Sequence, residues 1–271
     1  MIYDFFIITD ELDLAEIRIN YLNPVVDRFV VTESDRTFTG KQREYQFQSF
    51  MEKLDPFTCA KVRYLRLKDV ATPDVWLNER ITRNAALHHM ASLLTPQDIL
   101  MYSDVDEIPR KEAILSYNGF GPQVMHQHYL YYKVNWMVQH PQPWPGTIIT
   151  DAKYVELGEP NTVGSENLYF QGLRNRRDNL VSIENGGFHF SYCLPIEKIR
   201  NKISSFAHAA ILDTPAINNE EHIKACMEKG ESLNCEGECG DHIKINKVPI
   251  ETLDLPRYLL DNREKFSYMF E

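Results

Sequence analysis

Apolar and polar residues follow two different periods along the first hundred positions. Four short segments predict β-strands: residues 2–8, which are mostly apolar and β-prone, and residues 27–34, 60–67 and 98–104. Three segments between them place their apolar residues on one helical face: residues 10–22, 43–54 and 74–94. Strands that alternate with helices at this spacing predict βαβ units and a parallel sheet.

The second half of the chain has longer β-prone segments. Residues 123–137 and 146–157 predict extended strands, and residues 186–193 a short one. Helices are predicted at residues 195–208 and 256–271, the first with Pro195 near its start. These patterns predict a single α/β domain over residues 1–271, with a mixed, mainly parallel central sheet flanked by helices.

Composition and charge narrow the class of protein. The apolar fraction of 43% and the charged fraction of 25% are typical of a globular domain. With 39 acidic against 29 basic residues, the net charge of −10 argues against a nucleic-acid partner. No apolar run is long enough to predict a membrane-spanning helix, and the first residues lack the features of a signal peptide.

The five cysteines do not suggest a disulfide framework. Four residues near the C-terminal end have side chains that bind zinc: Cys226, Cys235, Cys239 and His242. Their spacing matches no strong zinc template. Free thiols and a local Cys235–Cys239 disulfide therefore remain alternatives to a zinc site.

Residues 164–172 read GSENLYFQG, which matches the recognition sequence of TEV protease preceded by a Gly-Ser typical of cloning. We interpret this stretch as an engineered protease site. Such sites are placed where the chain is exposed and tolerates change, so residues from about 158 to 180 are predicted to form a mobile loop.

The segment ILMYSDVDEIPR, residues 99–110, places two aspartates at the end of a buried strand. Residues two apart on an extended chain point the same way. Asp104 and Asp106 therefore predict a site for Mg²⁺ or Mn²⁺ at the edge where open parallel sheets bind ligands. The alternative is that Asp106 and Glu107 cap the following helix, which leaves the Asp-x-Asp spacing unexplained.

Two kinds of enzyme carry Asp-x-Asp after a strand. Phosphatases of the haloacid dehalogenase type place it after the first strand, followed by Thr or Val, whereas here it follows the fourth strand and Ile108 stands in the later position. Nucleotide-sugar glycosyltransferases of the GT-A fold place it about 100 residues into the chain, after three strand–helix units. Its position here therefore favours a glycosyltransferase.

Five segments in this order resemble glycosyltransferase family 17: ELDLAEIRINYL, VVDRFVVTESDRTFTG, YSDVDEIP, GGFHFSYC and PRYLLDNREKFSYM. Phe188 stands where the family often has Trp. The resemblance implies a GT-A-like fold and transfer of N-acetylglucosamine from UDP-N-acetylglucosamine to a glycan hydroxyl, with inversion and with Mn²⁺ or Mg²⁺. It also implies a cytoplasmic location if this is the full-length chain, and the Golgi lumen if it is a trimmed catalytic domain.

The resemblance assigns roles to side chains. Asp104 and Asp106 are the expected metal ligands, with His189 as the third ligand and His208 in reserve. The expected donor-binding residues are Glu11, Asp13, Glu33, Arg83, Asp104 and Arg174. Arg83 is also spaced for a surface ion pair with Glu79, and Arg174, Arg176 and Arg177 are candidates to bind phosphate.

An inverting transfer needs a general base to deprotonate the acceptor hydroxyl. Glu184, next to the predicted metal site, is the first candidate and Asp151 the second. Tyr131, Tyr132, Trp136 and Trp144 are candidates to stack on sugar rings, although alternate residues of a strand face the core. A dehalogenase-type phosphatase and a catalytically silent protein that binds UDP-sugars or glycans remain as alternatives.

Overall fold

The computed structural model describes residues 1–140, 142–155, 170–233 and 243–271. In the first hundred residues the strands are β1 (Ile2–Ile8), β2 (Arg28–Ser34), β3 (Val62–Leu67) and β4 (Ile99–Asp104). The helices are α1 (Leu12–Leu22), α2 (Phe47–Met51), α3 (Pro56–Lys61) and α4 (Val75–Met90). The four strands run parallel in the order β3-β2-β1-β4. Asp-x-Asp therefore follows three strand–helix units, as predicted.

The later strands are β5 (Glu107–Pro109), β6 (Gln123–Tyr131), β7 (Trp136–Val138), β8 (Trp144–Asp151), β9 (Val181–Ser191) and β10 (Ile245–Lys247). The later helices are α5 (Lys111–Leu115), α6 (Phe170–Asn175), α7 (Ile196–Ser205), α8 (Ala209–Leu212), α9 (Glu220–Lys229) and α10 (Arg257–Asp261). β8 pairs antiparallel with β4 and with β6, whereas β9 runs parallel to β6. The described strands form one mixed sheet in the order β10-β7-β6-β8-β4-β1-β2-β3, and β5 pairs with β9. The predicted α/β fold is confirmed.

β1 is buried on both faces of the sheet. Its neighbouring residues Phe5 and Phe6 point to opposite faces, and each is 1% exposed. Phe6 belongs to the apolar core that includes Leu14 of α1, and Phe5 to the one that includes Leu87 of α4. Coverage on both faces explains why the sequence of this strand is a continuous apolar run instead of an alternating one.

A buried ion pair connects β1 to the Asp-x-Asp segment. Asp4 accepts from Arg18 of α1 at 2.6 Å, and neither side chain is exposed. Arg18 Nη1 also donates to the backbone carbonyls of Asp104 and Glu107, at 2.9 Å each. One guanidinium thereby fixes the backbone on both sides of Asp106.

The pairing of β5 with β9 brings two later residues beside this segment. Glu107 lies opposite His189 in the ladder. Gly187 has a φ of +145°, and a Cβ at this position would lie 2.3 Å from the carbonyl oxygen of Ile108. A side chain at 187 would therefore separate the two strands.

Several predicted elements are shorter or less continuous in the structure. The helix predicted at 43–54 is limited to α2, and a separate helix, α3, begins after Asp55, which accepts from the backbone nitrogens of Phe57 and Thr58. The strand predicted at 123–137 is divided into β6 and β7. The strand predicted at 146–157 ends at Asp151, and residues 152–154 form a 3₁₀ turn. The closing helix predicted at 256–271 is limited to α10 and a 3₁₀ turn at Ser267–Met269.

The described part of the predicted loop at 158–180 is not a loop. Residues 170–175 form α6, and a 3₁₀ turn follows at Arg177–Asn179. Phe170 is 1% exposed and its ring stacks on Tyr102 of β4, with centroids 4.4 Å apart. Three residues that match the end of the protease recognition sequence, 170–172, are therefore part of the packed fold, and residues 164–169 lie outside the described residues.

Two other predictions concern a zinc cluster and membrane-spanning helices. Cys235, Cys239 and His242 of the predicted zinc cluster lie outside it. Cys226 is buried on α9, with its Sγ 3.4 Å from Nε2 of His222. Of the helices that the structure describes, none combines the length and apolarity needed to cross a bilayer.

Candidate active site

A cleft of about 680 Å³ opens at the carboxyl ends of β1 and β4. Thr9 and Glu11 line it just after β1, and Asp104 and Asp106 line it at the end of β4. Residues of α4, α6 and α7 complete its walls. The Asp-x-Asp pair therefore faces a cleft at the sheet edge where open α/β folds bind ligands.

Asp104 is held by two arginines. Its Oδ2 accepts from Nη2 of Arg174 at 2.8 Å and from Nη2 of Arg83 at 3.1 Å. Its side chain is 27% exposed, so it still faces the cleft. Arg83 also pairs with Glu79 at 2.6 Å, as the spacing predicted, but the two side chains are only 7% and 12% exposed, so the pair is not on the surface.

Asp106 is paired with a lysine from the last third of the chain. Its Oδ2 accepts from Nζ of Lys202 at 2.7 Å and lies 3.7 Å from Nε2 of His189. Burial alone would raise the pKa of Asp106, but the charge of Lys202 and the proximity of His189 hold it far below its ordinary value. Asp106 is therefore a permanent anion that a cation must balance.

Lys202 also contacts Glu11. Its Nζ lies 3.2 Å from Oε1 of Glu11, whose Oε2 accepts from the backbone nitrogen of Thr9 at 3.2 Å. Although burial acts in the opposite direction, Lys202 and the Thr9 hydroxyl lower the pKa of Glu11. Sequence reasoning missed Lys202. The signal was present, since it lies next to the buried Ile199 and Ile203 on the apolar face of α7.

Glu107 is a core carboxylate and not the helix cap that one interpretation of the sequence proposed. It is fully buried, and Arg174 donates to both of its oxygens, at 2.7 and 2.8 Å. Trp144 Nε1 donates to Oε1 at 2.8 Å. Burial opposes ionisation, yet the Arg174 guanidinium lowers the pKa of Glu107 below its ordinary value.

His189 lies in an aromatic wall of the cleft. Its ring stacks on Tyr129 with centroids 5.0 Å apart and lies 4.4 Å from the centroid of Trp144. Its Nδ1 is buried and has no hydrogen-bond partner in the described protein. His208, the reserve metal ligand, also lines the cleft, where it is exposed and packs against Trp76 and Phe206.

Among the predicted sugar-stacking residues, Tyr131 and Trp144 line the cleft, and Trp144 is the more exposed of the two. Tyr132 and Trp136 are 1% and 7% exposed, belong to the core and lie outside the lining, which contradicts their predicted role. Trp76 was missed by sequence reasoning. It lies in the first turn of α4, lines the cleft and is 52% exposed.

Two of the three arginines predicted to bind phosphate reach the cleft. Arg174 and Arg177 line it, and the Arg177 guanidinium lies 4.7 Å above the Trp144 ring. Arg176 is exposed outside the lining. Burial and the like charge of Arg174 lower the pKa of Arg177. An anion bound beside Arg177 would therefore stabilise its positive charge.

Two predicted donor-binding carboxylates lie elsewhere. Glu33 is fully buried and accepts from Arg43, from the backbone nitrogens of residues 46 and 47, and from the Tyr64 hydroxyl. Asp13 accepts from the Tyr268 hydroxyl at 2.6 Å and lies outside the cleft lining. Internal donors therefore occupy both carboxylates away from the cleft.

Neither predicted general base lines the cleft. Glu184 is 70% exposed and lies 2.9 Å from His126 Nδ1. Asp151 is paired with Ile99 in the antiparallel ladder, at the start of β4. Asp104 ends the same strand five residues later, roughly 16 Å away. The position of both carboxylates contradicts the prediction that one of them deprotonates an acceptor at Asp104 and Asp106.

Comparison with known proteins finds a protein family whose model matches this chain. The model of glycosyltransferase family 17 matches residues 1–271. β-1,4-mannosyl-glycoprotein 4-β-N-acetylglucosaminyltransferase of Rattus norvegicus is 25% identical over 300 residues, which cover 97% of this chain and 53% of the relative. The Homo sapiens enzyme of the same name is 24% identical over 306 residues, with 97% and 54% covered. The chain thus spans about half the length of the curated relatives it matches.

Two solved structures show a weak likeness. Glucosyl-3-phosphoglycerate synthase from Mycobacterium tuberculosis, in complex with Mn²⁺, UDP and phosphoglyceric acid, has a TM-score of 0.39 and 13% identity, covering 96% of this chain and 91% of that chain. The galactosyltransferase LgtC, in complex with donor and acceptor sugar analogs, has a TM-score of 0.37 and 12% identity, with 68% of each chain covered. Scores this low carry no argument about the site.

Proposed function

Because the chain belongs to glycosyltransferase family 17, we propose that it transfers a sugar from a nucleotide sugar to a glycan hydroxyl in the cleft at the ends of β1 and β4. The proposed sugar is N-acetylglucosamine and the proposed acceptor a β-mannosyl glycan, since the curated relatives are named for these groups. UDP is proposed as the carrier of the sugar because the family resemblance implies it. The observation that carries the proposal is the position of Asp104 and Asp106 in a cleft that also holds Lys202 and Arg177.

The charges suggest where the donor diphosphate binds. Asp104 and Glu107 already balance Arg174, and Glu79 balances Arg83. Arg177 lines the cleft beside Trp144 and carries a charge that burial disfavours. We assign Arg177 to the diphosphate, because a phosphate anion would compensate that charge.

The nucleobase is assigned to Trp76. This side chain lies on α4, which packs over β1 and β2. It is seven residues before Arg83, a helical separation of about 10 Å. A half-exposed indole on this wall of the cleft offers a flat apolar surface for uracil.

The family resemblance implies a divalent cation, and the chemistry of the donor set fits one. Asp104 and Asp106 supply carboxylate oxygens and His189 an imidazole, which suit Mg²⁺ or Mn²⁺. Asp104 Oδ1 is buried and accepts no hydrogen bond from the described residues, although Arg83 Nη2 lies 2.9 Å away. As they lie, the described residues form no group of three ligand side chains, so binding requires a rearrangement of these contacts. A bound cation would neutralise charge on the departing diphosphate.

We assign the general base to Asp178. It lines the cleft, is exposed and follows Arg177, whereas the carboxylates of Glu11, Asp104 and Asp106 are paired with lysine or arginine. In an inverting transfer the Asp178 carboxylate accepts the proton of the acceptor hydroxyl. The hydroxyl oxygen bonds to the anomeric carbon as the bond from that carbon to the diphosphate oxygen breaks, and UDP leaves.

Release of UDP tests this function. The protein is incubated with UDP-N-acetylglucosamine, Mn²⁺ and a β-mannosyl N-glycan core, with Asp106→Asn as the variant and Glu184→Gln as the matched control outside the cleft. We expect acceptor-dependent UDP release that chelation of the cation and Asp106→Asn abolish and Glu184→Gln preserves. Binding of UDP without any release would favour a silent binding protein, and phosphate release from a simple ester would favour a phosphatase.

A further inference from the structure

The ammonium of Lys202 lies between Asp106, one of the proposed cation ligands, and the carboxylate of Glu11. Its Nζ is 2.7 Å from Asp106 Oδ2 and 3.2 Å from Glu11 Oε1, and its side chain is 16% exposed. The carboxylates come from the ends of two adjacent parallel strands, whereas Lys202 comes from α7. One positive charge therefore occupies the space between them.

A divalent cation that binds Asp106 must compete with this ammonium. Both are attracted to the same carboxylate oxygens, and two positive centres in contact with one carboxylate repel each other. Lysine suits such an exchange, because its charge is compact and its four-carbon stem is flexible. Arg174 does not suit such an exchange, because both of its terminal nitrogens donate to Glu107 and one also donates to Asp104.

We propose that Lys202 is the resident cation of Asp106 in the ligand-free protein, and that it turns from Asp106 to the donor diphosphate when a divalent cation binds. This inference rests on the proposed function, and it adds the order in which the cation and the donor bind. Cation binding frees the ammonium, and the freed ammonium binds the donor. The cation and the diphosphate therefore raise each other's affinity by the same factor.

The first test measures Mn²⁺ binding directly, from the electron paramagnetic resonance signal of free Mn²⁺. Lys202→Met removes the competing charge and keeps most of the side-chain volume. We expect it to bind Mn²⁺ about tenfold more tightly than the wild type, the effect of one modest ion pair. With saturating Mn²⁺ we expect it to bind UDP about tenfold more weakly. Equal or weaker Mn²⁺ binding by Lys202→Met overturns the proposal.

A matched control lies one turn earlier on the same helix. Lys198 Nζ is 3.7 Å from Asp13 Oδ2, its side chain is 33% exposed, and it lies outside the cleft lining. Lys198→Met removes the same charge from the same helix, so we expect wild-type affinities for Mn²⁺ and UDP. A tenfold change in this variant would mean that net charge, and not contact with Asp106, sets the affinity.

A second test uses the unmodified chain, so it does not depend on how the variant folds. Acetylation by an N-hydroxysuccinimide ester, read by peptide mass spectrometry, reports how accessible each lysine is. We expect labelling of Lys202 to increase several-fold with Mn²⁺ and to fall again when UDP is added, while labelling of Lys198 stays constant. Labelling of Lys202 that Mn²⁺ does not change overturns the proposal.

The results also separate this inference from the proposed function. If Mn²⁺ binds and supports UDP release, but Lys202 neither competes nor changes its labelling, only the exchange is wrong. If Mn²⁺ does not bind even to Lys202→Met, both the cation and the exchange are wrong. Sugar transfer that proceeds in the presence of a chelator would then show that the protein is a glycosyltransferase that needs no divalent cation.

Discussion

Arg174 donates to both carboxylate oxygens of Glu107, with Nη1–Oε2 at 2.7 Å and Nη2–Oε1 at 2.8 Å. Glu107 is fully buried and Arg174 nearly so. This bidentate pair attaches α6 to β5 and so fixes one wall of the cleft to its floor. Its position makes it a determinant of both stability and site geometry.

We expect Arg174→Met to lower the free energy of unfolding by about 3–5 kcal/mol, because it leaves the Glu107 carboxylate buried without its partner. Urea unfolding followed by circular dichroism measures the change. Arg257→Met is the control, since Arg257 pairs with Asp261 on an exposed helix, and its expected cost is about 1 kcal/mol or less. Equal costs for the two variants would mean that the buried pair contributes no more than a surface one.

The same pair predicts a loss of stability in acid. The pKa of Glu107 in the folded protein is below its ordinary value of 4.5. A carboxyl with a depressed pKa stabilises the fold fully above its unfolded pKa, and this contribution is lost as the pH falls through the folded pKa. We therefore expect the free energy of unfolding to fall below about pH 4.5, with Glu107 contributing up to about 1.4 kcal/mol per pH unit.

Urea unfolding at several values between about pH 3 and pH 6 tests this slope. Glu107→Gln has no carboxyl to titrate, so its slope below about pH 4.5 should be smaller than that of the wild type. Identical slopes for Glu107→Gln and the wild type would refute the assignment.

Asp178→Asn tests the proposed base. Loss of a general base lowers the rate by about 10²- to 10⁴-fold, so we expect kcat to fall by this factor while the affinity for UDP stays within about twofold. Single-turnover transfer and UDP titration by calorimetry measure the two quantities. A variant that keeps wild-type kcat shows that another group takes the proton.

Trp76→Leu tests the nucleobase position. Stacking on an aromatic side chain contributes about 1–3 kcal/mol per base, so we expect UDP to bind about 5- to 150-fold more weakly. Phe120→Leu is the control, because Phe120 is 84% exposed and lies outside the cleft lining. If Trp76→Leu weakens only the acceptor and leaves UDP unaffected, this indole belongs to the acceptor end of the cleft.

The sequence predicted the elements whose apolar pattern is continuous. β1 has the predicted bounds, and β4 begins one residue later than predicted. Strands covered on both faces depend little on their partners, so local sequence is enough to locate them. The same apolar pattern predicted that Asp104 and Asp106 lie at the edge of the sheet where ligands bind.

The rest depended on contacts that no local pattern reveals. Lys202 meets Asp106 across 96 positions of sequence. Asp151 was expected near the site, but β8 runs antiparallel to β4 and carries it to the opposite edge of the sheet. Glu33 has the residue type and the strand-end position of a ligand-binding group, yet the loop that follows it supplies internal donors. The direction of β8 determines where Asp151 lies, and contacts with distant residues determine the partners of Lys202 and Glu33.

The charges of the cleft come from distant parts of the chain, and this has a consequence for synthesis on the ribosome. Glu11, Asp104, Asp106 and Glu107 are translated first, whereas Arg174 and Lys202 emerge at least 60 positions later. Until then Asp106 and Glu107 have no lysine or arginine from the later segments to balance them. The carboxylates of the cleft are therefore synthesised before the arginine and the lysine that balance Glu107 and Asp106, and the cleft can be completed only after α7 has left the exit tunnel.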